Sequence, residues 1–553
     1  VAGIRRSLAG EVFDVGVIGG GINGVAIARA CAYAGRRTLL VEQKDFASGT
    51  TSRSTRIIHG GLRYLEHGEL GLVRESLRAR DRMLRERPHL VRPINFLLAL
   101  PEGSRHSALA IRAGLWLYST LAGKQSHPAA KHEAAFLAAL DAGKRWSLFN
   151  YRDAQCEFPE RLVAEWLGEA AQNGATVRNH CRVLEIGRRK GKAESLLLRD
   201  ELNGHEERVY AAHIINATGP WVDRLCRASN LQRARPLIGG IRGSHIVLSR
   251  FAGAPASPLY AEGHDGRPVF VVPWNERLLV GTTEVIDDGD PAAAVANEVE
   301  ISHLLQSLRD LFPAQHFSAA DVQLAFAGIR PLPYSPGERT SAITRRHFLH
   351  DHSDEGARGL ISVIGGKLTT AESLARECAR KLGIPARHAE SECVALAPAD
   401  GIQSSLRQWA RQVAAIAGIP VASAIGLAEW YGRRALCVAR LASGHPRLSQ
   451  PLCEHTHHLV AEAVASAQNE FAMTLADVLL RRVPVALGPC WSRECSEVAA
   501  ARIGAALDWD AMRIGQELEA FDCERAHFLP APNISGVGVA PGQVTGFPAQ
   551  RSA

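Results

Sequence analysis

Residues 14–42 constrain the fold more than any other stretch. They read Asp-Val-Gly-Val-Ile-Gly-Gly-Gly-Ile-Asn-Gly, then a small-residue helix, then Arg-Arg-Thr-Leu-Leu-Val-Glu. The apolar run 15–18 predicts a short buried strand. Gly19, Gly21 and Gly24 form G-x-G-x-x-G at the strand-to-helix turn. Gly19 allows the tight turn, Gly21 removes a Cβ from the path of a pyrophosphate, and Gly24 lets helix and strand close up. The predicted helix, 22–34, carries Ala26, Ala28, Ala30, Ala32 and Ala34, and Gly35 ends it. Its N-terminus offers free N–H groups to phosphates. The second strand, 38–41, delivers Glu42 about 20 residues after the first glycine, where a carboxylate reaches ribose hydroxyls. The unit predicts dinucleotide binding and does not by itself choose FAD over NAD.

A chain of 553 residues predicts roughly two to four domains around this unit. The net charge of +7 favours anionic partners, either a substrate or a membrane surface. The arginines are scattered rather than grouped with aromatics, which argues against nucleic acid. Eleven cysteines without a C-x-x-C pair predict buried, reduced thiols in a cytosolic protein. Cys490 and Cys495 are the closest two. No zinc spacing is visible, and no metal is expected. Residues 1–10 do not read as a signal peptide, and no apolar run reaches the ~18 residues of a membrane span. The expectation is a soluble or membrane-surface protein.

Further signals follow in chain order. Residues 45–55 are dense in Ser, Thr and Gly, which suits a loop lining a polar ligand. Residues 69–87 predict a basic helix, with Leu70, Val73, Leu77 and Leu84 on its apolar side and Arg74, Arg78, Arg82 and Arg85 outside. Residues 108–121, with Trp116 and Tyr118, read either as an interfacial helix or as a buried core helix. A helix is expected at 161–173. Residues 209–216 predict a strand running into the small turn Ala217-Thr218-Gly219. Several short strands within 235–285 predict an antiparallel sheet. Residues 360–370 form a second glycine-rich strand-to-helix turn. A linker is expected at 391–403, a helical domain at 404–525 and a disordered tail at 526–553. Thr474 and Asp477 resemble a capping box. The first part, 12–390, is expected to interleave a nucleotide domain with a substrate domain at about 90–150 and 236–330.

Four motifs stand in order: the 19–42 unit, His59-Gly-Gly-Leu-Arg-Tyr-Leu-Glu66, Asn216-Ala-Thr-Gly-Pro-Trp221 and Gly365-Gly-Lys-Leu-Thr-Thr370. With Gly243-Ser-His245, Gly281-Thr-Thr-Glu284, Gly328-Ile-Arg-Pro331 and Ala342-Ile-Thr-Arg345, they resemble the FAD-dependent, respiratory, quinone-linked glycerol-3-phosphate dehydrogenases. Tyr431-Gly432 and 474–482 resemble that family's helical C-terminal domain, so the likeness covers about 12–485. It implies an α/β FAD-binding Rossmann-like domain with an inserted antiparallel-sheet substrate domain, plus an all-α C-terminal domain. It also implies FAD as cofactor, oxidation of sn-glycerol 3-phosphate to dihydroxyacetone phosphate, and electrons passed to membrane quinone. The protein would sit peripherally on the inner face of the cytoplasmic membrane, and a homodimer is compatible with this.

The resemblance assigns Gly19, Gly21, Asn23, Gly24 and Glu42 to the ADP half of FAD. Thr50, Thr51, Ser54 and His59 would line the pyrophosphate-to-flavin stretch. Ala217, Thr218, Gly219, Gly366, Leu368 and Thr369 would contact nucleotide and isoalloxazine, with Lys367 among them. Arg63 and Arg345 would clamp the substrate phosphate, with Tyr64 and Thr283 as polar neighbours. Arg330 and Lys367 would stand near the reacting hydroxyl, and His245 is the candidate base. Its alternative is a hydrogen-bonded structural histidine. The chain departs from the family at Arg56 and Arg242, where lysine is frequent, and at Phe158-Pro-Glu-Arg-Leu162. That last departure leaves Arg161 outside the expected site. The rival readings are a glycerol-3-phosphate oxidase that makes hydrogen peroxide, an amine-oxidising flavoenzyme and a non-catalytic flavin-binding protein. The amine reading wants an aromatic or carboxylate cage in place of the arginines. The non-catalytic reading predicts loss of polar pocket residues.

Overall fold

The computed structural model describes residues 5–66, 68–104, 107–123, 134–231, 233–340, 342–385, 402–489 and 491–530. The first strand, Val12–Ile18, lies between two parallel neighbours, Thr38–Val41 and Glu206–Asn216. Ile18 pairs with Val41 on one side and Asn216 on the other, so three chain segments end together at one sheet edge. Thr176–Arg178 extends the sheet beyond Thr38–Val41, and Leu360–Ile364 and Phe348–Asp351 extend it on the other flank. One face is covered by helices Ile22–Tyr33, Pro159–Gln172 and Ala371–Lys381, with Val17, Val25, Trp166 and Leu374 in a shared core. The hairpin Cys181–Arg189 and Lys192–Asp200 branches from Glu206–Asn216, and its Val183 and Leu196 pack with Phe13 and Ile214.

The second sheet has nine strands and draws on distant parts of the chain: Ile57–Ile58, Val91–Pro101, Trp146–Cys156 and six strands between Ile238 and Pro333. It is antiparallel except where Leu259–Glu262 runs parallel to Val91–Pro101. These two strands are joined by a long crossover through the nucleotide-binding sheet, which frees them from the reversal a hairpin imposes. Helix Glu298–Leu311 covers part of this sheet, started by a capping box between Asn297 and Glu300.

One helix differs from expectation, and a second keeps only one of its two readings. In Leu70–Glu86 the buried side is Leu72, Val73, Ser76, Leu77, Arg80 and Met83, while Leu70 is exposed. The helix is rotated because Arg80 finds a buried carboxylate, Asp153, at 2.9 Å. In Ala108–Ala122 only Tyr118 is buried. Trp116 is 71% exposed and Leu109 75%, so this is not a core helix.

The C-terminal part is helical, from Ile402–Ala417 through Ala511–Arg525. Residues 402–403 of the expected linker belong to its first helix, and 391–401 lie outside the described residues. Thr474 accepts from Asp477 N at 3.1 Å, completing the expected capping box. The tail expected to be disordered from 526 is folded as far as 530: Phe528 is buried, with Arg53 over its ring. Residues 531–553 lie outside the described part.

Candidate active site

A cavity of about 800 Å³ opens where the two sheets meet. Its nucleotide end is built by the first strand-turn-helix unit. A Cβ on Gly24 would stand 1.9 Å from Gly19 O, so Gly24 serves the helix–strand approach and does not line the cavity. Gly19, Gly21, Asn23 and Glu42 do line it. Glu42 accepts from Gly20 N at 2.6 Å and Lys44 N at 3.0 Å, which aims its carboxylate and leaves lone pairs for further donors. Burial pushes its carboxyl above the ordinary range.

The hydroxyl-rich loop folds under this helix. Thr51 Oγ1 accepts from Ile22 N at 3.1 Å, and Thr50 Oγ1 donates to Ile329 O at 2.7 Å, joining loop to second sheet. Ser54 Oγ accepts from Arg56 N at 3.3 Å. Thr50, Thr51, Ser54 and His59 all line the cavity, as do Ala217, Thr218 and Gly219. The second glycine turn supplies Gly366, Lys367, Leu368 and Thr369. Gly366 has φ +95°, and a Cβ there would meet the Asn23 amide at 2.4 Å. Asn23 Nδ2 donates to Gly365 O at 3.3 Å, while its buried Oδ1 has no partner among the described residues. That unpaired acceptor, the bare glycine turn and the aimed Glu42 carboxylate fit a flavin dinucleotide lying along the cavity.

Lys367, Arg330 and Arg345 line the same cavity. Lys367 Nζ donates to Ser76 Oγ at 2.8 Å and lies 4.5 Å from the centre of the Tyr64 ring. Burial pulls its ammonium down to about 7, with Glu75 and Glu69 opposing the shift. Arg330 donates to Thr282 Oγ1 at 2.7 Å. A Cβ on Gly243 would strike its guanidinium at 2.3 Å, so that glycine makes room for the arginine. Arg345 pairs with Glu284 at 2.8 Å, both nearly buried. Burial and Lys367 hold His59 down at about 3, so its ring is neutral near pH 7. Its peptide is held by a buried network: Gly60 N donates to Tyr118 Oη at 2.9 Å and Asp153 Oδ1 at 3.2 Å, and Arg80 neutralises Asp153.

Two expected residues stand behind the wall. His245 does not line the cavity. Its Nε2 shares a 2.9 Å hydrogen bond with Thr55 Oγ1, which does line it, and its ring stacks on Phe326. Burial, with Arg330 and Arg56 nearby, lowers it to about 3. Thr283 points the other way, donating to Glu300 Oε1 at 2.6 Å and accepting from Ser244 N at 2.9 Å. Tyr64 lines the cavity, and Arg63 opens the short helix Arg63–Glu66 beside it. Arg161 is spent on Glu470 at 2.6 Å, away from the cavity.

Sequence reading passed over several lining residues. Thr282 and Glu284 flank Thr283 in the connection between strands Arg277–Gly281 and Val285–Ile286, and both line the cavity. Thr55 covers His245. Arg53, Glu524 and His527 bring the C-terminal part to the wall, with Arg53 donating to His527 O at 2.9 Å. Asp153, a lone acid in strand Trp146–Cys156, also lines the wall.

Comparison with known proteins adds to this geometry. Residues 14–372 match the FAD dependent oxidoreductase family, and 361–514 match the C-terminal domain of alpha-glycerophosphate oxidase. A Synechocystis glycerol-3-phosphate dehydrogenase is 37% identical over 502 residues, 86% of this chain and 89% of that protein. Glycerol-3-phosphate dehydrogenase 2 of Mycobacterium tuberculosis is 34% identical over 526 residues, 93% of this chain and 88% of its own. The FAD-complexed glycerol-3-phosphate dehydrogenase of Bacillus halodurans superposes with a TM-score of 0.74 at 23% identity, covering 94% of this chain and 96% of that one.

Proposed function

The chain belongs to the FAD-dependent glycerol-3-phosphate dehydrogenase family, and from that premise we propose that it oxidises sn-glycerol 3-phosphate to dihydroxyacetone phosphate and passes the electrons to membrane quinone. The observation that carries this reading is that Arg330, Arg345 and Lys367 line the same cavity as the glycine turns that fit a dinucleotide. FAD, when bound, supplies the hydride acceptor.

The protein's own residues bind, orient and move the proton. Arg345, aimed by Glu284, receives the substrate phosphate with Arg63 as its neighbour in role. Arg330, fixed by Thr282, stabilises negative charge growing on the C2 oxygen. A base must reach that hydroxyl. His245 stands behind Thr55, so its role becomes positioning Thr55. Lys367 is at the wall and shared between neutral and charged forms near pH 7. In this reading Lys367 Nζ takes the hydroxyl proton, and the resulting ammonium stands where negative charge arrives. The sign of the pH dependence follows: kcat/KM rises as pH rises through about 7, because the neutral amine is the competent form. Lys367→Arg, which cannot lose its proton in this range, should remove the rise and lower the rate on the order of 10²–10⁴-fold. A pH–rate profile of both proteins checks it.

The substrate and acceptor are tested together. The flavoprotein is mixed anaerobically with glycerol 3-phosphate, then with a ubiquinone analogue or with oxygen. Flavin bleaching followed by fast quinone reoxidation is the expected result, and no bleaching would refute the substrate. Fast reoxidation by oxygen and slow by quinone would favour the oxidase reading, which the match of 361–514 to an oxidase C-terminal domain keeps in view. The retained pocket cations weigh against a non-catalytic flavoprotein, and Arg330, Arg345 and Lys367 would repel a cationic amine.

Peripheral attachment to the inner membrane face is part of the same proposal. No helix among the described residues is long and apolar enough to cross a membrane. Helix Ala108–Ala122 packs on Leu70–Glu86 and exposes Trp116 and Leu109, next to a helix whose Arg74, Arg78 and Arg85 are exposed. An aromatic beside surface cations suits anionic lipid. Trp116→Ala should weaken sedimentation with anionic vesicles several-fold while leaving turnover with a soluble acceptor unchanged.

A further inference from the structure

We propose that the C-terminal helical part holds a zinc ion on Cys453, His455 and Cys495. The spacing Cys-x-His, with the third ligand forty residues on, is no familiar zinc pattern, and none was expected from the sequence. The fold nevertheless brings the three together. Their ligand atoms all lie within 4.8 Å of one another. His455 Nδ1 stands 3.3 Å from Cys495 Sγ. In a tetrahedral zinc site, bonds of about 2.0 and 2.3 Å to nitrogen and sulfur set such an edge at roughly 3.5 Å. A small inward step of a cation would therefore find three donors already placed.

Each donor is delivered by ordered backbone. Cys453 and His455 sit on a short loop closed by the bridge between Pro451 and Leu459 and by Leu452 N donating to His458 O at 2.8 Å. Cys495 lies in the first turn of helix Arg493–Leu507, behind its N-cap Ser492. The helix N-terminus favours a thiolate there. Neither cysteine is in a disulfide. Both thiols are buried and the imidazole is exposed, so a fourth position faces solvent and a water can take it.

The donor set selects the metal. Two thiolates and an imidazole suit zinc and exclude magnesium and calcium, which want oxygen. Binding replaces two S–H bonds by S–Zn bonds and releases the two protons to solvent, with no change of oxidation state. Two thiolates and a neutral imidazole leave the occupied site uncharged. The ion would pin the loop ahead of helix Val460–Asn469 to helix Arg493–Leu507, two helices that already pack on each other. None of the three ligands lines the FAD cavity, so the ion is structural and independent of the flavin.

The test uses the full-length FAD-loaded protein. After dialysis against metal-free buffer, zinc and FAD are each counted per chain. The expected result is close to one zinc per chain, lost in His455→Ala and in Cys453→Ser/Cys495→Ser, with FAD content unchanged. His455 is exposed, so its variant tests the site even if the double cysteine variant fails to fold. Cobalt added to the stripped protein should give tetrahedral d–d bands to the red of the flavin absorption, absent in His455→Ala. Zinc well below one per chain after reconstitution would overturn the proposal. So would equal zinc in wild type and His455→Ala, or an intact mass two hydrogens light that maps to a Cys453–Cys495 disulfide.

Discussion

Arg345→Ala is expected to lower kcat/KM for glycerol 3-phosphate on the order of a hundred-fold or more, with FAD content unchanged. Removing one partner of a desolvated charge pair at a binding site typically costs about 2–5 kcal/mol. Here the loss has two parts: the phosphate loses a bidentate donor, and Glu284 is left buried facing that phosphate. The parts can be separated. Arg345→Ala/Glu284→Gln removes the stranded carboxylate, so it should recover a fraction of the activity and no more. Full recovery would mean that Arg345 serves only to neutralise Glu284. Turnover of unphosphorylated glycerol, poor in the parent, should be little changed by Arg345→Ala. An equal fall for both substrates would contradict a phosphate clamp.

Asp45→Ala is expected to release FAD and to lower the unfolding temperature more than any variant in the cavity. Asp45 is fully buried and accepts from Arg482 at 2.7 and 2.8 Å and from Arg481. Arg481 also meets Asp477 at 3.0 Å, and Asp477 meets His180 at 2.9 Å. Deleting Asp45 strands the Arg482 guanidinium in the interior, while Arg481 keeps Asp477 and Glu524; a broken buried pair costs about 3–5 kcal/mol. The damage should reach the cofactor, because Asp45 lies between Glu42 and Ala47, and both line the cavity. FAD retention on gel filtration and melting with and without added FAD are the measurements. A variant that keeps its flavin and its melting temperature would remove the C-terminal part from any role in holding the nucleotide loop. The pH dependence has a definite sign. Burial would raise the Asp45 carboxyl, but Arg482 and Arg481 hold it below its ordinary 3.8. Its contribution is therefore present above that value and is lost only as pH falls through the still lower folded pKa.

Much of the nucleotide end was legible in the sequence, because its signals are local. Gly19, Gly21 and Gly24 act through a turn, the alanines through a helix face, and Glu42 through the length of one strand-turn-helix unit. The other lining residues were legible by type but not by position. His245 shares a strand face with Gly243, which lines the cavity, and only the arrival of Thr55 from a distant loop covers the histidine. Thr283 was one residue off: the connection after Gly281 has no strand period to read, and Glu300 and Ser244 hold Thr283 while Thr282 and Glu284 line the cavity. The face of helix Leu70–Glu86 was misread for a similar reason, since no pattern within the helix announces that Arg80 will meet Asp153.

By itself, then, the sequence determined a dinucleotide unit and a family. Each follows from interactions spanning a few tens of residues, where spacing along the chain is spacing in space. Tertiary structure alone decided the partners: Asp45 with Arg482, Arg345 with Glu284, and Cys453 and His455 with Cys495. Such partners are chosen by how remote segments pack, and a buried charge or thiol takes whichever complement the fold brings within a few ångströms.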